Sequence, residues 1–207
     1  MAYGAARPAF AGSEAPGSAS GERLRLTIDL LEISERESTM SRIIDVSINF
    51  DTETILKKFP NASKDPNKPT FIPPEHIYMV TYQDNVISGQ AGGELHLKGR
   101  VGDVVRWREQ SISFGFEQSV ILYGFVSDDP NHQLLEDPRA LKAKVQTAVP
   151  NANNKTVPTC QVNENYYWRG DLLAQGKVTY HFKFMIIDRD CKCCGYFEWD
   201  PFITITN

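Results

Sequence analysis

The stretch Lys177–Ile205 constrains the fold more than any other part of the chain. Val178, Tyr180, Phe182, Phe184 and Ile186 recur at every second position, separated by Thr179, His181 and Lys183. Side chains on an extended backbone alternate between faces, so this period predicts a strand with one face buried. A polar, glycine-ended turn follows (Asp188 to Gly195), and then a second aromatic-rich extended run to Ile205, so the pair predicts a β-hairpin. Pro201 cannot donate to a sheet ladder and is expected at an edge or bulge. There it would bend the second strand so that Trp199 and Phe202 both reach core positions.

The rest of the chain extends this pattern. Ile44, Val46, Ile48 and Phe50 alternate within Ile43–Phe50, and Asp51 or Thr52 can cap a short helix over Glu53–Phe59. Pro60–Pro74 holds five prolines and predicts a long surface loop. His76–Tyr82 and Glu94–Lys98 are extended, the latter with Leu95 and Leu97 inward. In the turn Gly99–Asp103, Gly102 supplies backbone freedom and Asp103 can hydrogen-bond back. Val104–Gln110, carrying Trp107, leaves that turn as a strand. Ser119–Ser127 is apolar on both faces, which predicts a central, doubly covered strand. Asp137-Pro138 followed by Arg-Ala-Leu-Lys-Ala-Lys-Val fits a helix start, and Asn165–Leu173 is again extended. Seven or eight strands with one or two short helices predict an all-β fold, a two-sheet antiparallel β-sandwich of jelly-roll or Ig-like type.

Residues 1–39 differ in kind. Met1–Gly21 is an Ala/Gly/Ser/Pro tract with too few large apolar groups to offset its ordering entropy, so residues 1–39 are expected to be a disordered extension and 40–207 a single domain. Translation starting at Met40 and a genuine flexible tail are both open readings. A chain of 207 residues with 22 basic and 26 acidic side chains carries a net charge of −4, and its Lys and Arg are scattered singly. Nucleic acid is therefore not an expected partner. No run approaches the ~18 apolar residues of a membrane span, and Met1–Gly21 lacks the apolar core of a secretory signal. The expectation is a cytoplasmic protein with reduced thiols and no membrane partner.

The candidate sites are few. Cys191-Lys192-Cys193-Cys194 does not match the spacing of structural zinc sites, and Cys160 stands alone, so no metal and no cofactor are expected. The order of His, Cys and Met does not suit a blue-copper centre. Motifs of the common hydrolases are absent. Glu94 and His96 lie two apart on one strand, with Arg106 and Arg108 similarly spaced on a presumed neighbour, which predicts cross-strand charge pairing and not acid–base catalysis. No catalytic residue is assigned. Trp107, Trp168 and Trp199, with Tyr166 and Tyr167, are expected mainly in the core. Trp107 flanked by Arg106 and Arg108 nevertheless marks a candidate ligand-binding groove for a small molecule or glycan, bordered by the Pro60–Pro74 loop.

The opening Met40-Ser-Arg-Ile-Ile-Asp-Val-Ser-Ile-Asn-Phe-Asp-Thr-Glu-Thr-Ile-Leu resembles that of the bacterial inclusion body protein family (PixA/AidA). So do Val101-Gly-Asp-Val-Val-Arg-Trp-Arg, the Tyr-His-Phe-Lys-Phe strand and the ending Gly195-Tyr-Phe-Glu-Trp-Asp-Pro-Phe-Ile-Thr-Ile. The likeness covers residues 40–207, and the ending is its most specific part. It implies a cytoplasmic bacterial protein associated with intracellular inclusions or with quorum-sensing control, without established catalytic residues. The Cys-Lys-Cys-Cys turn departs from the family pattern. Two expectations for function follow: a non-enzymatic, self-associating protein whose partner is itself, or a β-sandwich module binding a small molecule or glycan.

Overall fold

The alternation of the C-terminal hairpin recurs along most of the chain, and the computed structural model, which describes residues 41–207, turns it into twelve strands and one short helix. In chain order these are β1 (Ile43–Phe50), α1 (Thr52–Lys58), β2 (Thr70–Phe71), β3 (Ile77–Val80), β4 (Val86–Ser88), β5 (His96–Arg100), β6 (Val104–Ser111) and β7 (Gln118–Ser127). They are followed by β8 (Arg139–Val149), β9 (Thr159–Asp171), β10 (Gly176–Asp188), β11 (Cys193–Trp199) and β12 (Phe202–Thr206). The expectations for residues 1–39 lie outside the described residues.

Five strands form one sheet in the order β3-β1-β6-β9-β8, and seven form the other, β2-β11-β10-β12-β5-β4 with β7 on the far side of β10. The two-layer sandwich matches expectation, but the sheets are mixed and not antiparallel throughout. β1 runs parallel to β6, β11 to β2 and β12 to β5. Such pairs join segments far apart in the chain, which hydrophobic period does not reveal.

β10 is the axis of the larger sheet. Val178, Tyr180, Phe182, Phe184 and Ile186 are all buried, as the period requires. Its far half pairs with β11, its near half with β12, and β7 lies along its other side. β11 and β12 are one strand interrupted at Asp200-Pro201, where the Pro201 carbonyl still accepts the Tyr180 N–H. The interruption does not change the phase. Phe197, Trp199, Pro201, Ile203 and Ile205 all point inward, whereas Phe202 lies on the outer side against His96 and Lys177. The expected bend bringing Phe202 into the core is thus corrected: a break of two residues preserves a period of two.

The core is aromatic. Phe182 packs its ring against Trp107, Phe125, Trp168, Tyr180 and Trp199, with centroids 5.2–5.9 Å apart. Full burial of each such ring stabilises by about 2–3 kcal/mol, with edge-to-face contacts adding to it. Trp107 donates its indole N–H to the Tyr180 hydroxyl, 3.1 Å away and equally buried, so neither polar atom is orphaned.

Local chemistry fixes the ends of elements. Asp51 Oδ1 accepts the Thr54 N–H and caps α1. The turn between β5 and β6 crosses from one sheet to the other, with Gly102 at φ +89°. There the buried carboxylate of Asp103 accepts the Arg42 and Arg100 N–H groups at 3.0 and 2.9 Å.

Three expectations are overturned. β5 and β6 lie in different sheets, so Glu94 and His96 face neither Arg106 nor Arg108; His96 Nε2 instead meets the Thr204 hydroxyl at 2.8 Å. Residues 139–149 are a strand and not a helix, because eleven consecutive residues pair with β9. Lys142, Lys144 and Gln146 alternating with Leu141, Ala143 and Val145 carried that signal. β7 is not a central strand: among the described residues β10 is its one ladder partner, and Ile121 and Val126 remain exposed.

Candidate functional site

The parallel register of β1 and β6 sets Asp45 beside Arg106, Ser47 beside Arg108 and Asn49 beside Gln110. All six alternate with core residues, so their side chains stand on the outer face of the five-stranded sheet. Arg106 is locked by Asp45 in a bidentate pair, Nε to Oδ1 at 2.7 Å and the terminal nitrogen to Oδ2 at 2.8 Å. Its guanidinium carbon lies 5.8 Å from the centroid of the Tyr167 ring. The hydrogen bond to Asp45 pushes the Arg106 pKa up further, although burial opposes it.

β9 pairs with β6 over Asp171 to Trp168 and no further, and beyond that point it continues with β8 alone. A cleft of about 410 Å³ opens where the two strands part. Asp45 and Ser47 of β1 and Arg106, Arg108 and Gln110 of β6 line it on one side, and Ala143, Val145, Asn165 and Tyr167 of the β8–β9 hairpin on the other. Arg108 is exposed and has no ion-pair partner among the described residues. The cleft therefore combines one fixed and one uncommitted cation with one tyrosine face, that of Tyr167, and side-chain amides. That set can hold an anionic or aromatic group by cation–π contact and hydrogen bonding.

The candidate residues separate. Arg106 and Arg108 line the cleft, but Trp107 points the opposite way and is fully buried, since neighbours on a strand face opposite sides of the sheet. Its ring cannot touch a ligand there. Trp199 is also core and Trp168 half-buried, and the ring on the cleft side belongs to Tyr167, since Tyr166 shares the face of Trp168. The Pro60–Pro74 loop borders none of the cleft. It lies along β11, with Ser63 bridging Tyr196 and Thr70–Phe71 forming β2.

At the hairpin tip, Asp188 Oδ1 accepts the Asp190 and Lys192 N–H groups at 2.9 and 2.8 Å, an arrangement that builds a turn. Burial pushes the Cys194 thiol up, away from the thiolate form, with Asp188 adding to the effect. Among the described residues no cluster of three His, Cys, Asp or Glu side chains is placed to hold a metal ion, and no helix is long and apolar enough to cross a membrane.

Inward-facing Glu109 was not singled out by its sequence context. One oxygen accepts the Leu122 N–H of β7 at 3.4 Å, so the carboxylate ties the end of β6 to the opposite sheet, while the other oxygen is buried with no hydrogen-bond partner among the described residues. Burial pushes the Glu109 carboxyl up, against the opposing effects of backbone hydrogen bonds and Arg108.

No curated protein matches the chain. The crystal structure of the inclusion body protein PixA from Burkholderia cenocepacia J2315 has the same fold, with a TM-score of 0.68 at 21% identity over 81% of this chain and 98% of that one. The solution structure of Amebosin aligns at a TM-score of 0.24 and 8% identity over 60% of this chain and 93% of that one, which carries no argument about fold. The family model described as PixA, inclusion body protein, matches residues 42–205, which contain both sheets and the cleft almost entire, and the chain belongs to that family.

Proposed function

We propose that this chain works by self-association, as a non-enzymatic inclusion body protein that accumulates in the bacterial cytoplasm as assemblies of its own copies. One observation carries the reading. Beyond Trp168 the β8–β9 hairpin leaves the sheet as a two-stranded ribbon, with Val145, Val162 and Tyr166 exposed. A two-stranded hairpin is marginal alone, and its free edges are templates for another chain. The segment from Arg139 to Arg169 also bears five basic residues against the single acid Glu164, on a chain of net charge −4. Ribbon and remainder therefore attract each other between copies, an interaction that salt weakens. Expression under quorum-sensing control belongs to the same reading and would appear as a rise in the protein with cell density. Sizing chromatography with light scattering over a hundredfold concentration range tests the core claim. Mass should rise with concentration and fall with added salt; a constant monomer mass would end the proposal.

The cleft supports a second reading, a binding module for a small anionic or aromatic molecule or a glycan. The uncommitted Arg108 in a cleft with Tyr167 favours it. A thermal shift with one class of carboxylate or sugar, abolished by Arg108→Ala and unaccompanied by assembly, would establish it in place of the first.

A further inference from the structure

The turn between β6 and β7 holds two phenylalanines in water. Phe114 is 75% exposed and Phe116 77%, with Ile112 beside them at 47%. These rings are held by a built turn and do not sit on a loose loop. Ser113 Oγ donates to the Gln118 carbonyl and accepts the Gln118 N–H, while Ser111 Oγ accepts the Ser113 N–H and meets buried Thr52 at 3.1 Å. The Phe114 and Phe116 N–H groups donate to the Ser111 and Ser113 carbonyls, both at 2.9 Å. Phe114 adopts φ +54°, a left-handed conformation uncommon for a bulky side chain, followed by Gly115 at φ +83°. Strain maintained by a hydrogen-bonded network in order to expose apolar rings points to a contact made elsewhere.

We infer that Phe114 and Phe116 form a knob that seats in the cleft between β6 and the β8–β9 ribbon of a second copy, and that the exchange is reciprocal. This deepens the self-association reading and rests on it. The cleft has the chemistry the knob lacks: Arg108 without an ion-pair partner among the described residues, the Tyr167 ring, and the small apolar side chains of Ala143 and Val145. Arginine over an aromatic face and offset aromatic pairs are favourable contacts for a phenylalanine ring. A volume of about 410 Å³ is in the range that takes a ligand of this size. In its own copy the knob is in water, and among the described residues no side chain fills the cleft.

The geometry favours a two-fold exchange. Gln110 lines the cleft and Ile112 begins the knob two residues later, so donor and acceptor share one surface, as an isologous contact requires. The knob together with Val145 exposes roughly 400 Å² of side chain per copy, about half of the ~800 Å² per partner found in stable interfaces. The turn is already ordered, so little conformational freedom is lost on docking.

Sedimentation velocity on the full chain, comparing the parent with Phe114→Ser/Phe116→Ser and with Arg108→Ala, tests the inference. The knob variant should weaken association at least a hundredfold and the cleft variant about tenfold, both with parental melting temperatures. In a background with the four cysteines changed to serine, mixing a Phe116→Cys chain with a Val145→Cys chain should yield a hetero-dimer on adding a short bifunctional maleimide. A parent that assembles while the knob variant assembles equally, or an assembling mixture that does not cross-link, overturns the knob and leaves self-association standing. A parent that stays monomeric overturns both. Binding of that monomer to phosphatidylglycerol-containing vesicles, lost in the knob variant, would reassign the rings to a lipid surface.

Discussion

Removing the Asp103 carboxylate should unlatch the point where three parts of the sandwich meet. Asp103 is 2% exposed, and its oxygens accept the N–H of Arg42, at the entrance to β1, and of Arg100, at the end of β5. Its own N–H donates to the Arg100 carbonyl, its carbonyl accepts Leu172, and the Arg42 guanidinium stands 3.5 Å from Oδ2. Asp103→Ala leaves two backbone donors without their acceptor. Hydrogen bonds to a charged group contribute about 1.5–3 kcal/mol each, and water reaching the half-exposed Arg42 side recovers part of that. The expected loss is about 3 kcal/mol. For a body of this size each kcal/mol lowers Tm by about 2–4 °C, so Tm should fall by about 6–12 °C, with a matching drop in urea midpoint and an unchanged slope. Asp103→Asn keeps one acceptor oxygen but turns an amide N–H₂ toward one of the donors, so it should lose about half as much. Circular dichroism and tryptophan fluorescence would report both variants. An alanine variant within 2 °C of the parent, or an asparagine variant as damaged as alanine, would refute the reasoning.

Other outcomes follow from the same structure. Tyr180→Phe leaves the buried Trp107 indole N–H without its acceptor and should cost about 1–3 kcal/mol, read as a lower urea midpoint. Phe182→Ala empties the centre of the aromatic cluster and should cost about 3–5 kcal/mol, read as a Tm lowered by about 6–20 °C. Glu109 has a folded pKa raised above its ordinary value of 4.5, so the native state holds more protons and its stability declines as pH rises from that value through the folded pKa. Glu109→Gln removes that decline, and the difference in Tm between variant and parent should grow from pH 4 to pH 7; a difference independent of pH would show that the carboxyl is not desolvated.

Much of the fold was legible because it is local. Alternation in β1, β5 and β10 named the buried residues correctly, and Asp51 and Asp103 were readable as capping and turn residues through their bonds to Thr54 and Arg100, each three positions away, whereas the Asp103 bond to the Arg42 N–H was not. The two-sheet architecture followed from those faces. The candidate site was half legible. Arg106 and Arg108 do share a surface, but a tryptophan between them must face the other way, as strand geometry requires, and its burial confirms.

What the sequence determined by itself is which side of each strand meets the core, since that depends only on the pleat and the order of apolar and polar side chains. Tertiary structure alone decided the partners. It set β1 parallel to β6 and so put Asp45 against Arg106, and parted β9 from β6 to open the cleft. The same long-range packing put β7 at an edge and left Phe114 and Phe116 in solvent. Pairing between distant segments depends on the summed complementarity of whole faces, and no short window of residues carries that sum.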